Sequence, residues 1–142
     1  MIIKYLINFS FVFVLTMYFT GCKDEEQTEK LWGNWNLVNI YVDGKDILNN
    51  DELKKAYKYP LMRIDNDIRQ ISIETNRETV YSKFSIETEE EKIYVKIYRS
   101  TIEKFNGRYL VNFLKGEKID EYFKGKELIR LKSDNITILG SI

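Results

Sequence analysis

Lys92-Ile93-Tyr94-Val95-Lys96-Ile97-Tyr98-Arg99 alternates in character at every step. Ile93, Val95 and Ile97 share one face, and Tyr94, Lys96 and Tyr98 share the other. A period of two belongs to a strand with one buried face, because successive side chains leave a pleated backbone on opposite sides. The pattern continues upstream, where Thr79 to Glu87 alternates around Val80, Ser82, Phe84 and Ile86, with Glu89-Glu90-Glu91 as the polar hairpin tip between the two runs. Downstream, Asn106-Gly107 has the composition of a type I′ hairpin turn, and Arg108 to Leu114 follows it as a strand. Farther out, Leu61–Ile64, Ile68–Thr75, Ile119–Phe123, Glu127–Lys132 and Asn135–Leu139 read as strands. Turn residues such as Asp65-Asn66-Asp67, Asn76-Arg77-Glu78 and Lys124-Gly125 separate them. Turn signals at intervals of about eight to twelve residues mark an all-β chain.

The first strand belongs to Leu31-Trp32-Gly33-Asn34-Trp35-Asn36-Leu37-Val38-Asn39-Ile40-Tyr41-Val42, β-prone from Trp35 and ended by the turn dipeptide Asp43-Gly44. Strict alternation places Trp35, Leu37 and Tyr41 on its inner side, with Val38 and Ile40 facing outward or under a helix. One helix is expected, over residues 49–58. Asn49 is a good N-cap, Glu52 completes a capping box, and Leu48 with Leu53 forms a hydrophobic staple. Leu53, Ala56 and Tyr57 share a face, and Pro60 forbids continuation past Tyr59.

Upstream of this domain the chain changes character. A near-continuous apolar run from Leu6 to Phe19 follows the single charge of Lys4, and Thr20-Gly21 leads directly to Cys22, the one cysteine of 142 residues. That order is the signature of a secretory leader. The run of about fourteen residues is shorter than the ~20 that a membrane-crossing helix needs.

Phe19-Thr20-Gly21-Cys22 resembles the bacterial lipoprotein signal, matching at Thr20, Gly21 and Cys22 and departing from the usual leucine at Phe19. The resemblance implies removal of residues 1–21, acylation (palmitate included) of Cys22, and anchoring in the outer membrane. Lys23-Asp24-Glu25-Glu26 looks like the acidic export signal of Bacteroidota surface lipoproteins, which implies display at the cell surface. Several acyl chains at ~0.8 kcal/mol per buried methylene anchor a protein stably, where one chain is marginal.

Gly33-Asn34-Trp35 at the head of the first strand resembles the G-x-W signature of the lipocalins. The resemblance implies a mostly up-and-down, antiparallel barrel of eight or nine strands over residues 31–142, joined to Cys22 by a charged tether at residues 22–30. It also implies a barrel floor built by Gly33, Trp35 and an arginine lying across the tryptophan, for which Arg130 is best placed. The helix that usually follows a lipocalin barrel has no counterpart here, so the resemblance is to a reduced, lipocalin-like barrel.

Composition limits the chemistry. With 22 basic and 22 acidic residues, the chain has no net field for nucleic acid. The absence of histidine, with Cys22 lipidated, leaves no means to build Ser-His-Asp or Cys-His catalysis or a His/Cys zinc site. Neither an enzyme, a cofactor nor a metal is expected. Asp65-Asn66-Asp67 lacks the glycine and distant glutamate of an EF-hand loop and reads as a turn. Glu87, Glu89, Glu90 and Glu91 read as a solvated hairpin rather than an acid–base pair. Tyr41, Tyr94, Tyr98, Tyr109 and Tyr122 offer apolar area with one polar handle and can line a ligand cavity, or serve as ordinary half-buried strand residues. Two functions follow: a module that binds a small apolar ligand, or a structural or interaction lipoprotein of the envelope with a filled core.

Overall fold

The computed structural model describes residues 26–48, 60–75, 77–116 and 125–142. The chain divides into two units between Leu31 and Trp32. In the first, residues 26–29 form one helical turn, and the Leu31 N–H donates to the Thr28 carbonyl at 3.1 Å.

The second unit is all β. Its described strands are β1 (Gly33–Val42), β2 (Lys45–Asp46), β3 (Leu61–Asp65), β4 (Gln70–Glu74), β5 (Thr79–Glu89), β6 (Lys92–Tyr98), β7 (Gly107–Lys115), β8 (Glu127–Lys132) and β9 (Ile136–Ser141). From β3 onward each strand pairs with the next in antiparallel fashion, and β9 returns to pair with β1. Eight strands close into an up-and-down barrel, and β2 is an extra strand at the end of β1. Closure is possible because β1 serves two partners: Gly33–Asn36 pairs with β3, and Asn36–Val42 pairs with β9. A closed barrel leaves no full-length sheet edge to recruit another chain.

Alternation fills the interior. Trp35, Leu37, Met62, Ile64, Ile71, Ile73, Val80, Phe84, Val95, Ile97, Tyr109, Ile129, Leu131 and Ile138 are all at most 2% exposed. Gly140 makes room for the largest of them. A Cβ there would lie 2.9 Å from the Trp35 Cβ and 3.3 Å from the Ile129 Cγ2. Trp35 also meets Phe113, with ring centroids 6.5 Å apart.

Three expectations need correction. Strict alternation along β1 fails at Val38, where the register runs from Leu37↔Gly140 to Asn39↔Leu139. The extra residue is a β-bulge, which moves every later side chain to the other face. Ile40 is therefore fully buried, and Tyr41 is 40% exposed. Second, Asn106-Gly107 is not the hairpin turn. Gly107 already lies in β7 opposite Ile97, and Asn106 closes a longer connection over residues 99–106. The tight turn is Glu90-Glu91, between the paired Glu89 and Lys92, with φ of 49° and 62°. Third, Arg130 is not on the barrel floor, for the reason given below. The helix expected over residues 49–58 and the strand expected at Ile119–Phe123 lie outside the described residues.

Candidate ligand site at one end of the barrel

One end of the barrel collects the β1–β2 hairpin with Ile47 directly after it, the β4–β5 turn and the β6–β7 connection. Asp43-Gly44 turns with φ of 50° and 78°, and the Asp43 N–H donates to the Asn135 carbonyl at 2.8 Å, tying this turn to the one between β8 and β9. The Ile47 N–H donates to the Ile40 carbonyl at 2.8 Å, which folds Ile47 back over the rim. In the β4–β5 turn the Thr75 hydroxyl donates to the Glu78 carbonyl at 2.7 Å and accepts from the Arg77 and Glu78 N–H groups. Such side-chain capping is a common role of threonine in turns.

The β6–β7 connection carries a 3₁₀ turn at Glu103–Phe105. The Ser100 N–H donates to the Asn106 side-chain oxygen at 3.0 Å, closing the loop. Phe105 is buried, and its carbonyl accepts from the Tyr109 hydroxyl at 2.9 Å. Burial pushes the Tyr109 phenol up to about 12, an effect tempered by the Ser133 side chain. A buried, neutral phenol thus holds the 3₁₀ turn in place.

Between these three segments lies a cleft of about 460 Å³. Ile47, Ile102 and Phe105 supply its apolar wall, and Thr75, Arg77, Glu78 and Lys104 supply its polar groups. Lys104 also reaches Asp43 at 3.6 Å, an exposed pair that contributes little by itself. The volume falls within the usual range of small-molecule sites, which combine an apolar wall with a few orienting polar groups.

The residues singled out from the sequence do not all gather here. Tyr109 is interior and supports the cleft from below. Tyr94 is on the outer face of β6, with the Arg108 guanidinium 3.6 Å above its ring. Arg108 in turn bonds Glu87 at 2.9 Å and Glu89 at 2.7 Å, and these hydrogen bonds, Glu89 first, raise its pKa further. Tyr98 is also outward, because Ile93, Val95 and Ile97 take the inner side of the strand. Tyr41 is outward through the bulge at Val38. Tyr122, Cys22, Lys23, Asp24 and Glu25 lie outside the described residues, and Glu26 begins the short helical turn.

Trp35 is buried, with Gly33 two residues before it at a φ of 122°. Arg130 does not cross it. Asn39, Leu139, Arg130 and Asn112 form one cross-strand row on the outside of the barrel, and the guanidinium donates to the Asn112 side-chain oxygen at 3.1 Å. Ile129 and Leu131 take the inner positions on either side of it. A different arginine meets aromatic rings: Arg69 lies 5.9 Å from the Trp32 ring and 5.8 Å from the Phe84 ring. Asp65 builds a turn, accepting from the Asp67 and Ile68 N–H groups. Among the described residues no group of three or more Asp, Glu, His or Cys gathers at metal-binding distance, and no helix is long and apolar enough to cross a membrane.

Sequence reasoning missed Ile47, Ile102 and Phe105. Their signal was present: large apolar residues in segments with no strand period, where burial needs a partner outside the local pattern.

The fold defines a small, closed, antiparallel barrel. Comparison with protein-family models, with curated proteins and with solved structures returned no match.

Proposed function

We propose that this is a lipid-anchored envelope protein, held in the outer membrane through Cys22 and presenting a lipocalin-like barrel that binds a small apolar ligand at its end. The supporting observation is the 460 Å³ cleft walled by Ile47, Ile102 and Phe105. Large side chains occupy the described interior of the barrel, so the ligand sits at the rim. Its apolar body contacts the isoleucines and the phenylalanine, and its polar end meets Arg77, Lys104 or Glu78. Titration with a fluorescent apolar probe, N-phenyl-1-naphthylamine, tests this. Wild type should bind, and Ile102→Glu should weaken binding at least tenfold while the far-ultraviolet circular dichroism of the barrel is unchanged. Equal binding by the variant would remove the cleft from the reading.

The filled interior favours a second reading, an interaction module whose rigid barrel displays its surface to another envelope protein. Native mass spectrometry of protein taken from its own membrane separates the two: a retained small molecule supports the first, and a retained protein partner supports the second.

A further inference from the structure

The outer face of β3, β4 and β5 carries a second concavity, of about 490 Å³. Register explains its shape. Arg63 is opposite Ser72, and Ser72 is opposite Tyr81, so the three form one row across three strands. Their side chains point outward, because the neighbouring Met62, Ile64, Ile71, Ile73, Val80 and Ser82 are buried. The middle residue of the row is short and the outer two are long, which makes a trough with Ser72 as its floor. Its walls stand two strand spacings apart, roughly 9–10 Å.

The walls differ in chemistry. Tyr81 presents an aromatic ring that is 49% exposed. Arg63 presents a guanidinium held by Asp65 at 3.3 Å. Gln70 and Glu74 flank the floor along β4. Glu74 is fixed across the sheet, since one of its carboxylate oxygens accepts from the Leu61 N–H at 3.0 Å. Its other oxygen, the Gln70 amide and the Ser72 hydroxyl together offer both donors and acceptors. With one guanidinium against two carboxylates, the trough has no net attraction for an anion.

A ligand that matches needs one apolar face for the tyrosine ring, dense hydroxyl groups that donate and accept, and no negative charge. A pyranose ring has all three. We propose that this trough is a saccharide-binding site for a neutral oligosaccharide. Tyr81 stacks on the C–H face of one sugar, and Ser72, Gln70 and Glu74 bond its hydroxyls. The site involves a different face and a different ligand class from the cleft at the barrel end, so either can fail alone.

The test uses the full chain in a detergent without a sugar headgroup, first against an array of neutral oligosaccharides and then by calorimetry on the best ligand. Wild type should bind. Tyr81→Ala should weaken binding at least tenfold, and Ser72→Arg, which fills the trough, should abolish it. Both positions face solvent or the trough, and circular dichroism verifies the barrel in each variant. Ile102→Glu in the cleft should leave saccharide affinity unchanged. Absence of binding anywhere on the array would overturn the proposal. So would wild-type affinity in either trough variant, or loss of affinity confined to the cleft variant.

Discussion

Gly140 has no side chain because Trp35 already fills the space. The nearest atom to an added Cβ is the Trp35 Cβ, at 2.9 Å, which is attached directly to the backbone and cannot swing away. Gly140→Ala should therefore force β1 and β9 apart and destabilise the barrel by about 1–3 kcal/mol, the usual cost of overpacking. A urea midpoint equal to wild type would contradict this. Tyr109 provides a second residue-scale prediction. Its phenol is raised by burial from 10 to about 12 in the folded protein. Between those pH values the unfolded chain has lost the proton and the folded chain keeps it. Stability from this group is therefore complete below pH 10 and declines toward pH 12, by on the order of 2–3 kcal/mol in all. Unfolding measured from pH 9 to 12 should show a steeper decline for wild type than for Tyr109→Phe. Parallel curves would refute the assignment.

At the scale of elements, the β5–β6 hairpin turns on two glutamates with positive φ. Type I′ geometry suits the twist of a hairpin but strongly prefers Asn-Gly, because side chains with a Cβ are strained there. Replacing Glu90 and Glu91 by Asn and Gly should raise stability by about 1–2 kcal/mol with the register Glu89↔Lys92 retained. A lower denaturation midpoint would show that the glutamates do something the turn geometry does not reveal. The bulge at Val38 is the opposite case, one extra residue that decides which half of β1 faces the core. Without it, Ile40 would point to solvent and Tyr41 into the barrel.

For the whole molecule, the barrel closes through β1 and β9 and large side chains occupy its described interior, so the two proposed binding sites are at a rim and on an outer face. This agrees with an end cleft walled by three separate connections, none of which forms a pocket alone. Location is the second whole-molecule matter. If Cys22 carries lipid, metabolic labelling with a fatty-acid analogue should mark the wild type, and Cys22→Ala should lose both the label and the membrane fraction. A variant that still labels would end the lipoprotein proposal. External protease should release the domain from intact cells, and alanine at residues 23–26 should protect it if those four residues direct export.

The sequence by itself determined the all-β class and the positions of most described strands, because a period of two is local and burial of one face enforces it. It also placed Asp43-Gly44 and Asp65-Asn66-Asp67 in turns, since those side chains favour turns wherever they occur. Only the tertiary structure decided which face of β1 looks inward after Val38, since a bulge is defined by the partner strand. It alone set Arg130 outside the barrel, where Asn112 is its neighbour, and put Arg69 on the aromatic rings instead. The cleft was illegible for the same reason. Ile47, Ile102 and Phe105 come from two connections far apart in the chain, and only barrel closure brings them together. The trough on β3 to β5 depends on Ser72 standing between Arg63 and Tyr81, and that neighbourhood exists only once the strands are in register.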